Sequence, residues 1–198
     1  MLIYIYSFLI NIIILFSPII FLIRFIKKKE DPLRFKEKYA FFTKKRNRGK
    51  LIWFHAVSVG ELLSVIPLIK LLEKNKKTSQ ILVTSSTLTS SNLFKKFNFK
   101  KTVHQFYPID NNYFVERFLN HWKPNLAIFV DSEIWPNMII NLNKRKISKI
   151  LLNARVSYKS FQKWKKLGSF SKNLFQSFDQ TYPQNIESEK FLKKFDVK

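Results

Sequence analysis

From residue 50 onward, short apolar runs alternate with amphipathic stretches, and this alternation restricts the chain to a parallel sheet joined by crossover helices. The runs predict strands near 51–56, 80–85, 102–107, 126–130 and 148–153. The stretches between them predict helices near 61–75, 90–98, 112–121, 134–145 and 157–177. Pro67 argues for a kink in the first of these, whereas Pro136 stands near the start of its helix, where a missing N–H costs nothing. The expected class is therefore α/β, a Rossmann-like parallel sheet over residues 51–198.

Ahead of that domain lies Leu2 to Ile23, 22 residues without a charge. As a helix they extend roughly 33 Å, enough to cross a bilayer core. No Lys or Arg precedes the stretch and no small-residue cleavage site follows it, so an uncleaved anchor over residues 1–26 is expected rather than a signal peptide. Arg24, Lys27, Lys28 and Lys29 follow at once and open a basic juxtamembrane linker, residues 27–50. By the positive-inside rule, residues 24–198 belong in the cytoplasm of a single-pass protein.

A net charge of +23, from 36 Lys and Arg against 13 Asp and Glu, draws the surface toward phosphate in lipid, sugar or nucleic acid. The same basicity arises without any partner if a drift toward A and T codons has filled solvated faces with Lys, which outnumbers Arg 29 to 7. An Arg that remains, such as Arg155, then has a stronger claim on its planar fork. With no cysteine, disulfides, thiol nucleophiles and cysteine metal sites are excluded. There is no glycine-rich dinucleotide fingerprint, Walker loop or His-Glu-x-x-His, and His55, His104 and His121 lie far apart, so no metal or other cofactor is expected.

In an open sheet of this class, ligands bind outside the carboxyl ends of the strands. Polar residues collect there in this sequence: Ser58, Gly60 and Glu61 after the first strand, Thr84 to Thr87 after the second, Asp110 after the third, Asp131, Ser132 and Glu133 after the fourth, and Asn153 and Arg155 after the fifth. Wet loops explain any one of them, but one cleft explains all five groups together. Glu61 stands out, because Gly60 before it is one of only three glycines and suggests a turn that tolerates little else.

The ordered runs His55-Ala56-Val57-Ser58-Val59-Gly60-Glu61, Tyr107-Pro108-Ile109-Asp110, Glu133-Ile134-Trp135-Pro136-Asn137 and Asn153-Ala154-Arg155-Val156-Ser157 resemble the motifs of the 3-deoxy-D-manno-octulosonic acid (Kdo) transferases. Arg34-Phe35-Lys36-Glu37-Lys38-Tyr39 is similar to the segment that follows the anchor in that family. The resemblance covers nearly the whole chain and implies the N-terminal, acceptor half of a two-domain GT-B glycosyltransferase of the bacterial inner membrane. It implies inverting transfer of Kdo from CMP-Kdo to a hydroxyl of a lipid A precursor, in lipopolysaccharide synthesis. Glu61 falls on the catalytic base, and Asp131 falls where the family usually has a transition-state-stabilising glutamate one methylene longer. Ser58, Gly60, Thr84, Thr87, Glu133, Asn153 and Arg155 are the expected substrate contacts. Ser90 and Ala40 stand where the family has glycine. The family's donor-binding domain is expected to be absent from this chain, which stops at Lys198, so that the chain is a fragment or split product, or takes the donor half from a partner, or has lost catalysis and keeps acceptor binding. The competing expectation is a membrane-tethered module for anionic lipid or nucleic acid without catalysis. Its signature, exposed aromatics interleaved with basic residues, is weak here, so no nucleic-acid partner is expected.

Overall fold

The computed structural model describes residues 1–131 and 133–197. After helix α1 (Leu2–Ile26), a parallel sheet is built from β1 (Leu51–His55), β2 (Gln80–Ser85), β3 (Thr102–Phe106), β4 (Leu126–Val130), β5 (Ser148–Ala154) and β6 (Gln180–Pro183). The helices between and after them are α2 (Val59–Lys74), α3 (Leu88–Phe94), α4 (Asn112–Trp122), α5 (Pro136–Lys144), α6 (Tyr158–Lys165), α7 (Ser169–Gln176) and α8 (Ile186–Lys193). The strand order is β3-β2-β1-β4-β5-β6, the Rossmann-like arrangement in which the direction of winding reverses between β1 and β4.

The central strands are apolar on both faces because both faces are covered. In β1, Leu51 and Trp53 pack with Phe118, Phe129 and Met138 on one side, while Ile52 and Phe54 pack with Leu62, Ile66 and Ile81 on the other. The five expected strands all form. A sixth, β6, escapes the pattern because its residues Gln180 to Pro183 lie exposed at the sheet edge. The helix expected over 157–177 is two helices. Gly168 separates them at φ 57° and ψ −130°, a backbone conformation open to glycine and costly for other residues. Helix α2 runs without interruption through Pro67.

The segment expected as a linker, residues 27–50, is packed onto the β3 edge. A 3₁₀ turn over Phe35–Tyr39 buries Glu37 completely. Arg34 grips that carboxylate through two parallel bonds of 2.9 Å, Nε to Oε1 and Nη2 to Oε2, and Phe106 N–H donates to Oε2 at 2.8 Å. Thr43 adds a hydroxyl bond. Arg34 also donates to Ser91 Oγ and to the His104 carbonyl. An edge strand with open backbone groups is thereby covered.

Helix α1 is long and apolar enough to cross a membrane, judged by length and composition. It lies alongside the domain. Tyr6 Oη donates to Asp110 Oδ2 at 2.8 Å, Ser7 Oγ donates to Asn137 Oδ1 at 3.1 Å, and the Ser17 and Tyr39 hydroxyls are 2.6 Å apart. Phe21 packs on Phe35 and Tyr39. These inward residues share one row, while Ile5, Leu9, Ile12, Phe16, Ile19 and Ile23 share another that is exposed.

Asp110 is the joint between these parts. It is 2% exposed and accepts the first free N–H groups of α5, from Asn137 and Met138, both at 2.9 Å. Burial raises its pKa to about 7 against the opposing effect of the bonds from Tyr6, Asn137 and Met138. Asp110→Ala removes a cap and leaves buried donors unpaired, so urea denaturation should read a loss of about 2–3 kcal/mol. A loss within experimental error would show that the joint is not stabilising.

Candidate functional site

At the carboxyl end of β1, Ser58 caps α2 and its hydroxyl accepts the Glu61 N–H at 3.3 Å. Glu61 answers with both oxygens: Oε1 accepts from the Ser58 hydroxyl at 2.7 Å and Oε2 from Val57 N–H at 2.8 Å. This reciprocal capping box fixes the carboxylate in one place. A carboxylate has about four lone-pair directions, so two remain for a further donor. Gly60 is not in a special turn. It occupies the exposed first turn of α2 without a positive φ, and a Cβ there would meet nothing within 4 Å.

Glu133 follows β4, on the other side of the point where the winding reverses, and is half-buried. Its Oε2 accepts the Trp135 indole N–H at 3.0 Å. Burial, and then the charge of Glu61, raise its pKa to about 7, with a smaller contribution from Asp131 and opposition from the Trp135 bond. Three acidic side chains thus act on one another at the strand ends. Of the three, Glu133 is the carboxyl that its surroundings bring toward neutrality.

His55 Nε2 is 3.8 Å from Glu133 Oε2. The two do not form an ion pair, because burial lowers the His55 pKa to about 3 and keeps the ring neutral. Nδ1 is 3.0 Å from Thr84 Oγ1, which also accepts the Trp53 indole N–H at 2.9 Å, while Nε2 is buried with no hydrogen-bond partner among the described residues.

The other expected contacts divide. Thr84 is a correction: it is fully buried beneath the site, where its hydroxyl joins Trp53 to His55, so it lines no cleft. Ser85 and Asp110 are likewise buried. Thr87 caps α3 and stands at the rim, its hydroxyl 3.5 Å from the Val57 carbonyl, which draws the β2–α3 turn against the β1–α2 turn. Asp131 and Asn153 occupy the left-handed region at φ 65° and 56°, and Asp131 N–H donates to the Leu152 carbonyl at 3.0 Å. Side-by-side strain at two strand ends is a device of functional sites. Arg155 is exposed just beyond β5. Ser132 lies outside the described residues. Trp135, the partner of Glu133, escaped the sequence reading although it stands in the same run of residues. Its indole N–H is the signal that it has a polar task.

The raised pKa of Glu133 has a sign. Between about pH 4.5 and pH 7 the folded protein keeps a proton that the unfolded chain has lost, so this group's contribution to stability falls as pH rises through that window and is constant above it. Glu133→Gln cannot ionise. Allowing for partial exposure, its stability relative to the parent should improve by on the order of 1–2 kcal/mol from pH 4.5 to pH 8 in urea titrations. A difference that does not vary with pH would refute the buried carboxyl.

The family described as 3-deoxy-D-manno-octulosonic-acid transferase (kdotransferase) matches residues 33–198. The 3-deoxy-D-manno-octulosonic acid transferase of Rickettsia bellii is 39% identical over 184 residues, spanning 91% of this chain and 43% of that protein. Its counterpart in Haemophilus influenzae is 34% identical over 116 residues, 59% of this chain and 27% of that protein. The chain therefore spans less than half the length of these relatives. A crystal structure of UDP-N-acetylglucosamine 2-epimerase superposes with a TM-score of 0.54 at 12% identity, over 78% of this chain and 44% of that one, a likeness of fold alone. With the family matched over five-sixths of its length, and with carboxylates placed where the winding of its sheet reverses, the chain belongs to the 3-deoxy-D-manno-octulosonic acid transferase family.

Proposed function

We propose that this chain is the acceptor-binding, base-bearing part of a Kdo glycosyltransferase of lipopolysaccharide synthesis, and that it works at the cytoplasmic face of the bacterial inner membrane, attached through α1. The observation that carries the reading is the placement of Glu61 and Glu133 after β1 and β4, on either side of the reversal, with the charge of Glu61 acting on Glu133. The donor is CMP-Kdo and the acceptor a lipid A precursor.

The acceptor hydroxyl oxygen bonds to the anomeric carbon of Kdo, the bond from that carbon to the phosphate oxygen of CMP breaks, and CMP leaves with the electron pair. The hydroxyl proton passes to Glu61. Attack opposite the leaving group inverts the anomeric centre. A sugar hydroxyl is a poor nucleophile until a positioned carboxylate takes its proton as the bond forms. Val57 N–H and the Ser58 hydroxyl hold Glu61 for that task. Glu133, with its pKa raised to about 7 by burial and then by the charge of Glu61, retains a proton near neutrality and so lessens the repulsion between the two side chains. In this reading Asp131 after β4, with Asn153 near the end of β5 and Arg155 just beyond it, supplies the opposite rim.

The reading is tested by joining the chain to a donor-binding half, in fusion or by coexpression, and supplying CMP-Kdo and a lipid A precursor. Mass spectrometry should find the precursor heavier by Kdo. A precursor left unchanged while the same donor half works with the Rickettsia bellii acceptor half would overturn it.

A further inference from the structure

An apolar cavity of about 330 Å³ opens between α1 and the segments that follow β4 and β5, on the same side of the sheet as the carboxylates. Its walls include Ile5 and Leu9 from α1, Trp135 beyond β4, and Trp164, Leu167 and Phe170 around the break between α6 and α7. Its volume is within the ~300–1,000 Å³ of sites that hold small ligands. We propose that this cavity takes one hydrocarbon chain of the acceptor glycolipid, so that the sugar head is presented to Glu61 and Glu133. The inference rests on the lipid acceptor proposed above and adds the subsite that recognises its chain.

Two features identify the occupant. First, the cavity is continuous with the exposed row of α1: Ile5 and Leu9 belong to both, and Ile12, Phe16, Ile19 and Ile23 extend it at helical spacing. An apolar track roughly 27 Å long leads from a helix of membrane-crossing length and composition into the cavity, which suits a chain that arrives from a bilayer. Second, Trp135 belongs to the cavity and to the site at once. Its ring lines the wall while its indole N–H bonds Glu133 at 3.0 Å. A chain against that ring brings its polar end to the carboxylates.

The wall is preorganised. Tyr6, which also lines the cavity, is fixed by Asp110, and Asp110 in turn fixes the first turn of α5 beside Trp135 and Pro136. Entry of a chain therefore needs little ordering of the protein.

The test uses the whole chain in lipid nanodiscs with a trace of dodecyl maltoside carrying a diazirine at its chain end. After irradiation, peptide mass spectrometry should find label on 134–136 and 164–170 as well as on the exposed row of α1. Leu167→Trp and Phe170→Trp, each filling the cavity, should lower labelling of those two segments by about tenfold, the worth of roughly two buried methylenes. Ile20→Ala, on α1 outside the cavity, should not. Label confined to the exposed row of α1 in the parent protein overturns the proposal, as does undiminished labelling in both filled variants when their thermal unfolding matches the parent. Because labelling requires no catalysis, a cavity that fails to label in a protein competent for Kdo transfer removes the subsite and leaves the transferase standing.

Discussion

Glu61→Gln, in the chain joined to a donor-binding half, should lower turnover by ~10²- to 10⁴-fold and leave acceptor affinity nearly unchanged, because a base acting only as the hydroxyl attacks belongs to the transition state. The amide keeps the size of the carboxylate and can still accept one capping bond. If the capping box were the whole reason for Glu61, the substitution would cost no more than about 1 kcal/mol of stability and nothing in turnover. Steady-state kinetics with a parallel urea titration separates the two roles. Glu187→Gln, an exposed change on α8, is the control and should behave as the parent. Equal turnover in the Glu61→Gln and parent proteins would remove Glu61 as the base.

Glu37→Ala should give the largest loss of stability. The substitution strands the Arg34 guanidinium, only 17% exposed, and leaves Phe106 N–H without its acceptor. Removing one partner of a buried pair typically costs ~3–5 kcal/mol, because the other charge stays buried and uncompensated. A Glu37→Gln variant retains an acceptor for Phe106 and should lose less. Both are read from urea denaturation, and a loss below about 1 kcal/mol for Glu37→Ala would mean that the 3₁₀ turn does not hold the sheet edge.

These two glutamates show what was legible in the sequence. Glu61 could be singled out because chemistry in an open sheet gathers at strand ends, and the strand before it is an unbroken apolar run buried on both faces. Glu37 could not. It reads as one more charge in a basic segment, and its meaning comes from Phe106, about seventy residues later. Asp110 failed to declare itself as a joint for the same reason: its partners Tyr6, Asn137 and Met138 come from two other parts of the chain, α1 and the first turn of α5. Thr84 and Glu61 look alike in sequence, polar residues at or just beyond the end of a strand. Only the third dimension shows that Thr84 turns inward to satisfy the Trp53 indole while Glu61 faces the rim. Gly60 misled by its rarity, since glycine at an exposed first turn needs no special backbone. Helix α1 declared its apolarity plainly but not its docking, which depends on a thin row of polar atoms among exposed side chains.

The family places the chain among Kdo transferases, and the structure puts Glu61 and Glu133 on either side of the reversal of its sheet. The assignment of the acceptor to this part can be tested by equilibrium binding of the 198-residue chain, in nanodiscs, to a lipid A precursor and to CMP-Kdo separately. The precursor should bind saturably, with the same affinity in Glu61→Gln, and CMP-Kdo weakly or not at all. Saturable binding of CMP-Kdo with no binding of the precursor would contradict the assignment.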